Sequence, residues 1–549
     1  MLWDELTRAA TAARPIWEWD GSAYQRSSYG EMVEGARRAA AGLRRRGVKP
    51  GDIVPAVVTN GGDAARGIVG IWFAGATIAS LPIIARGMTI ENYLAQVKKL
   101  CASLGANLLL ADERLLAVAG HDHGLGVRLL DYASLVDTEG PATIDPPSLD
   151  DVIFIQFSSG TTGEPRGIEL KGRAIEPQLI AIGEHERADP ERDLVGTWLP
   201  MSHDMGFFGG FMAPWYNGIS ALRSPPERFL ENPQSWLDDY ARFGVTLTEA
   251  PPFALGLAAR ADHRLPPVGD GLSLRSCIVG AEHIDWSVIE MAADMLERRG
   301  VGLEVITPAY GLAEATLAVT LAEQPELPRY VTADSQALAD GEVCILDANQ
   351  TDGRPVRRLV SCGTPLEGVG VRIDDSTGEI VVSGPSVASG YHRNSEATNA
   401  RFRGGELWTG DLGFLHDGEL YVIGRADDIV IVGGRNVHAL DVEDAVGVER
   451  GVRKGNCAIV DVAGAGGTEI ALVAELDGDG VDANELSLRL RRASVEAAGI
   501  PIDRFVFVPK GAFPKTPSGK AQRYRCRAVA QEPPVGAEVV HLGVKRSRT

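Results

Sequence analysis

Apolar residues recur at helical spacing among arginines over residues 29–47, after which VKPGDIVPAVVTN changes to a turn and a β-rich run. The same alternation returns over 90–110, where YLAQVKKLCASLGANLLLA predicts an amphipathic helix, a glycine stop and a strand. Similar units follow near 195–222, 236–248 and 286–307. Alternating helix and strand implies a parallel sheet with helices on its faces. After about residue 325 the texture changes to short β-like runs, EVCILD, GVRID and GEIVVSG, separated by Gly, Asp and Pro. Two apolar strands then flank the charged tetrapeptide Arg425-Ala426-Asp427-Asp428. Beyond it, IALVAEL predicts a strand, 483–498 a helix and FVFVP another strand, while the stretch from about 531 lacks apolar periodicity and is expected to fray.

This pattern predicts an α/β chain with an α+β C-terminal domain. Residues 1–424 form the large domain, including a β-rich subdomain at about 326–424, and 425–549 form a small mobile domain hinged at 425–428. At 549 residues the chain exceeds what one hydrophobic core supports, so a division is required. The most apolar run, IVGIWFAGATIASLPII at 68–84, falls short of a bilayer span and contains Pro82, so it reads as a buried helix leading into a strand and no membrane span is expected. The N-terminal MLWDELTRAATAARPIWEWD has no cationic segment before an apolar run and does not read as a signal peptide.

Composition narrows the chemistry. A net charge of -20 disfavours a broad nucleic-acid-binding face, which needs clustered Lys and Arg. The six cysteines are dispersed, with no CxxC pair, which fits a reducing cytoplasm better than a disulfide framework or a zinc ribbon. A small anionic ligand remains compatible with both facts, because backbone amides and a few local cations suffice to bind one.

Such a site is written at 152–170, VIFIQFSSGTTGEPRGIEL. An apolar strand enters a loop of hydroxyls and glycines, Ser158, Ser159, Gly160, Thr161, Thr162 and Gly163, followed by the cation Arg166. Glycines let backbone amides approach a phosphate chain without a Cβ in the way, and hydroxyls and a cation add hydrogen bonds and charge. The Walker pattern is absent, since its Lys-Ser/Thr pair is missing.

SSGTTGEPRG resembles the phosphate loop of the adenylate-forming superfamily: acyl-CoA synthetases, peptide-synthetase adenylation domains and luciferases. Arg166 stands where members often carry Lys, which keeps the charge but presents it as a planar fork. Further elements follow in the family's order. WLPMSHDMGFFGGF resembles its Pro-Leu-x-His-x-x-Gly element, which implies His203 near the acyl pocket. VGAEHI resembles the adenine-side loop and implies contacts from Gly280, Ala281 and Glu282, although Val279 and His283 depart from the usual Asn and Pro. PAYGLAEATL implies that Tyr310, with Gly311 beside it, packs against adenine and that Glu314 holds Mg²⁺, a hard ion that needs few protein carboxylates when phosphates supply oxygens. LWTGDLGF implies Asp411 as acceptor for both ribose hydroxyls, with Arg425 of GRADD at the ribose or phosphate. PKTPSGKAQR implies Lys520 as the catalytic cation, acting with His203, Glu314 and Thr162.

Within the superfamily, fatty acyl-AMP ligases look most similar. The resemblance therefore implies the adenylate-forming fold, ATP and Mg²⁺ as cofactors, and a thiol of CoA or phosphopantetheine as acyl acceptor. It also implies a small carboxylic acid and an acyl carrier protein as partners. Those ligases carry an extra segment that impedes the CoA-using arrangement, and 330–359 is long enough to supply one. Against them stand Asp427, the hinge residue, where they often carry Lys, and Ala439, where Pro is usual. A CoA ligase, an enzyme of the thioester-forming half-reaction alone, and a non-catalytic nucleotide or acyl-AMP binder are the alternatives. MGFFGGFMAPW and TEAPPFALGL predict an apolar acyl pocket for a fatty or bulky acid, with no clear carboxylate in the matching places to receive an amino acid's ammonium.

Overall fold

The computed structural model describes residues 1–542 except 85–87, 120–123, 137–142, 159–164, 264–270, 348–353, 433–434, 465–466, 479 and 517–519. Helix Tyr29–Arg45 starts where the Ser28 hydroxyl accepts the amide of Glu31. Its apolar face, including Met32, Ala36, Ala39 and Leu43, packs on helix Gly62–Phe73. The latter is buried almost all round and leads after a glycine turn into the buried strand Thr77–Leu81, as the apolar run at 68–84 predicts. That strand is central to a seven-stranded sheet, in the order Gly390–Tyr391, Arg166–Lys171, Val152–Ser158, Thr77–Leu81, Ile53–Val57, Leu108–Ala111, Arg128–Asp131.

A nine-stranded sheet lies beside it, with the consecutive strands Ile306–Gly311, Ser276–Val279, Leu247–Ala250, Leu194–Thr197 and Ser220–Arg223 running parallel. Between the two sheets sits a π-helix, Met205–Met212. Its phenylalanines Phe207, Phe208 and Phe211 do not face a pocket: they pack into an aromatic core with Trp72, Phe154 and Trp215, the Phe154 and Phe207 rings 4.5 Å apart. Burying six aromatic side chains here ties the sheets together, since each removes well over ~100 Å² from water.

The β-rich region contains a five-stranded sheet, Gly370–Ile373, Glu379–Ser383, Glu406–His416, Phe402–Arg403 and Glu419–Arg425, and a three-stranded sheet, Tyr330–Asp334, Ile345–Leu346 and Val356–Val360. After the turn Ala426–Asp428 come a hairpin, Ile429–Val432 with Arg435–His438, and a four-stranded sheet backed by helices Ala483–Ala498 and Arg523–Gln531. Two features of that sheet depart from the sequence expectation. Val452–Gly464 is a 13-residue strand, and Glu538–His541, within the stretch expected to fray, pairs antiparallel with Arg504–Val508. Val540 stands opposite Phe505 and is buried, so a four-residue alternation too short to recognise is held by a long-range partner. Among the described residues, no helix is long and apolar enough to cross a membrane.

Candidate active site

Several parallel strands end at one cleft of about 2260 Å³. The carboxyl ends of such strands are where open α/β sheets place ligands, because successive loops diverge there. The segments following Leu194–Thr197, Leu247–Ala250, Ser276–Val279 and Ile306–Gly311 bring His203, Phe253, Glu282 and Glu314 to its walls. Asp411 and Arg425 join from the β-rich region, and Lys520 arrives from beyond residue 425.

Tyr310, Asp411 and Arg425 form one connected group. The buried Tyr310 hydroxyl donates to Asp411 Oδ2 at 2.7 Å, and Arg425 Nε lies 3.2 Å from Asp411 Oδ1. Burial, together with the Asp411 charge, pushes the Tyr310 phenol well above its ordinary value, so it stays a donor. Burial works against the charge of Arg425, but Asp411, Asp428 and Glu314 outweigh it and hold the guanidinium above its usual value. Gly311 is fixed by a close approach: a Cβ there would lie 2.0 Å from the Leu317 carbonyl oxygen. Glu314 accepts from the Tyr391 hydroxyl at 2.9 Å, and the Arg166 guanidinium sits 5.5 Å over the Tyr391 ring, so Arg166 and Glu314 share one neighbour.

His203 is half-buried at the start of the π-helix, its Nδ1 2.5 Å from Asp204 Oδ1. Asp204 also accepts the Met205 amide at 2.7 Å. Burial raises the cost of its charge, but His203 and Lys520 more than offset that, and the carboxyl is held below its ordinary value. Glu282 accepts the Phe253 amide at 2.9 Å; burial pushes its carboxyl up, opposed by that hydrogen bond and by Lys520 and Lys515. Lys520 itself is exposed, its amide donating to the Thr516 hydroxyl at 3.0 Å. Its charge thus bears on the two carboxyls that flank the His203 side of the cleft.

Gly280 and Ala281 line the cleft beside Glu282, Ala281 with φ +70°. Of the two departures in that loop, Val279 ends a buried strand, and His283 is pushed down to about 4 by burial and Arg357, so it is neutral at physiological pH. Asp427 is exposed in the turn Ala426–Asp428. Ser159, Gly160, Thr161, Thr162 and Gly163 lie outside the described residues, as does the Ser158 side chain. Asp204, Tyr391 and Lys515 belong to the cleft but are not singled out by sequence reasoning. Asp204 is adjacent to His203 and readable from it, whereas Tyr391 reaches Glu314 from 77 residues away. Glu249, in TEAPPFALGL, also lines the cleft as a buried carboxyl, where the sequence suggested only apolar surface.

The AMP-binding enzyme family matches residues 6–392, most of the chain, and the protein belongs to that family of adenylate-forming, acyl-activating enzymes. The medium-chain-fatty-acid–[acyl-carrier-protein] ligase JamA of Moorena producens is 32% identical over 403 residues, covering 69% of this chain and 67% of its own. The 4-hydroxyphenylalkanoate adenylyltransferase of Mycobacterium marinum is 28% identical over 90% of this chain and 84% of its own. A solved structure from studies of fatty acyl-adenylate ligases of E. coli and L. pneumophila superimposes with a TM-score of 0.87 at 25% identity, covering 96% of this chain and 97% of its own.

Proposed function

We propose that the protein activates a hydrophobic carboxylic acid with ATP as the acyl-AMP mixed anhydride, releasing pyrophosphate, and then passes the acyl group to a thiol. The observation that carries this reading is Lys520, which comes from the C-terminal part yet lines the same cleft as His203, Tyr310, Glu314, Asp411 and Arg425. In the first step a carboxylate oxygen attacks the α-phosphorus of ATP, and the bond to the β-phosphate oxygen breaks. Both reactants are anions, so alignment and charge neutralisation are what the protein must supply. Lys520 supplies a mobile ammonium near Asp204 and Glu282, where the carboxylate and α-phosphate would meet. Tyr310 offers a ring for adenine and Asp411 two acceptor oxygens for ribose, with Arg425 holding the carboxylate in place. Arg166 and the loop at 158–163 would receive the phosphates. Among the described residues no cluster of three or more metal-binding side chains exists. Glu314 fits a magnesium ion that also takes phosphate oxygens and water, an ion that would neutralise phosphate charge.

A division into lobes at 425–428 is supported by the cores, because each hydrophobic cluster draws its buried residues either wholly from before 424 or wholly from after 429. We further propose an acyl carrier protein's phosphopantetheine as the acceptor rather than free CoA. The three-stranded sheet of 330–360 supports this, since its Arg357 Nε lies 3.0 Å from Asp441 Oδ1 of the C-terminal lobe and so restrains the swing that a CoA-using arrangement needs. JamA, whose name specifies acyl-carrier-protein ligation, agrees with it. The exposed Asp427 favours the CoA-ligase reading, and mass analysis of the thioester formed with CoA or a phosphopantetheinylated carrier protein separates the two. Substituting Lys520→Ala tests the whole proposal: pyrophosphate release should fall about 10²–10³-fold, as for loss of one transition-state charge partner, with ATP affinity little changed. Unchanged turnover would remove Lys520 from the chemistry.

A further inference from the structure

Among the buried carboxyls of the described residues that line the cleft, Glu249 is the one without a task in acid activation and without a cation. It lies on strand Leu247–Ala250, 5% exposed, against the π-helix: a Cβ at Gly210 would meet its Oε1 at 2.7 Å. Gly210 thus lets the carboxyl stand at this wall at all. One interaction, with the Thr197 hydroxyl, stabilises it. Oε1 has no hydrogen-bond partner among the described residues. Burial pushes the carboxyl up to about 8, so at neutral pH it is largely protonated. The titratable groups facing it are the Cys277 thiol on the next strand and the Tyr240 phenol on helix Gln234–Phe243. Burial pushes both well above their ordinary values, so both stay neutral; Glu186, beyond Cys277, is likewise pushed up by burial.

The neighbouring cleft surface includes the apolar or small Val195, Gly209, Ile219 and Ile278, and its polar members Asn217 and Thr248 already donate to backbone carbonyls. An unsubstituted alkyl chain laid there leaves the carboxyl with the Thr197 hydroxyl as its one stabilising partner, a cost that a substrate donor reaching the carboxyl would remove. We propose that Glu249 reads the acyl chain, accepting a hydrogen bond from a hydroxyl or amino group on the acid, so that functionalised acids are activated in preference to plain fatty acids. This rests on the acid-activation reading of the cleft and narrows its substrate class. The hydroxyl and the amine share donor chemistry and differ in charge. A neutral amine would take the proton from the Glu249 carboxyl and leave an ammonium–carboxylate ion pair, whereas a hydroxyl needs only an acceptor oxygen.

The experiment compares the protein with Glu249→Leu and Glu249→Gln. Octanoic and decanoic acids are paired with analogues bearing a hydroxyl or amino group at successive chain positions. Pyrophosphate release gives kcat/KM, and calorimetry gives equilibrium binding of each acid. The unaltered protein should prefer at least one substituted acid to its parent by about tenfold or more. Glu249→Leu should remove that preference and improve plain acids. Glu249→Gln should keep a hydroxy acid and lose an amino acid, which identifies the donor. Above about pH 8, ionisation of Glu249 should depress kcat/KM for plain acids in the unaltered protein and not in Glu249→Gln. A substitution that scales every acid by the same factor, in binding and in turnover, overturns the proposal. Selective binding without pyrophosphate release in any case would uphold it and reject acid activation instead.

Discussion

Arg357 and Asp441 offer a test of how the two lobes are held. Their side chains are 8% and 9% exposed and their charged atoms are 3.0 Å apart across the lobe boundary. At an effective dielectric near 20 such a pair attracts by about 5 kcal/mol, most of it offset by the water both ions give up. Removing one member of a buried pair typically costs about 3–5 kcal/mol. Here Asp441 can escape part of that cost, because burial already pushes its carboxyl up and Arg357 is the first force opposing the shift. We therefore expect Arg357→Met to weaken lobe docking by about 2–3 kcal/mol, which enlarges the undocked population roughly 30- to 150-fold.

Limited proteolysis at the exposed turn Ala426–Asp428 reads that population, and mass analysis of CoA thioester reads its consequence. Arg357→Met and Asp441→Asn should each speed cleavage and raise CoA use. The double variant should do little more than either, giving a coupling energy above about 1 kcal/mol. Additive effects, with coupling under about 0.5 kcal/mol, would refute the latch. Arg357 also donates to the Ile423 carbonyl within its own lobe, and the cycle cancels that contribution.

Tyr310→Phe should raise the KM for ATP about 5- to 50-fold with little change in melting temperature, because it removes a 2.7 Å hydrogen bond to a carboxylate while keeping the ring; an unaltered KM would place ribose elsewhere. Asp193 has a side chain with no exposed surface and holds Arg275 through bonds of 2.9 and 2.7 Å. Burial disfavours its charge, but Arg275 and Arg192 outweigh that and keep its carboxyl well below the usual range. Its stabilisation is therefore present above about pH 4, its unfolded value, and is lost as pH falls below that towards the folded one. Asp193→Asn should cost about 3 kcal/mol in denaturant unfolding at neutral pH, with the gap to the unaltered protein narrowing in acid; a gap constant with pH would contradict this assignment.

The alternating units were legible because each writes its own period: the helix and strand of 68–84 are buried as the apolar run requires. The motifs were legible for a related reason, since Tyr310, Asp411, Arg425 and Lys520 each belong to a short run whose residue order is itself the signal, and the structure brings all four to one cleft. What the sequence hid depends on partners distant along the chain. Strand Glu538–His541 exists through Arg504–Val508, and the Arg357 pair with Asp441 joins segments 84 positions apart, so neither has a local signature.

MGFFGGF shows a subtler loss. Its hydrophobicity correctly marks a buried segment beside the cleft, but the π-helical backbone turns the three phenylalanines into the aromatic core and leaves Gly209 facing the cleft and Gly210 against Glu249. Hydrophobicity states that a side chain avoids water, and it is silent on whether protein or ligand takes water's place. The same ambiguity concealed Glu249, a carboxylate in a strand buried on both faces. Along the chain it passed as part of an apolar wall, and only its place in the fold, with no cation acting on it among the described residues, turns it into a question about substrate.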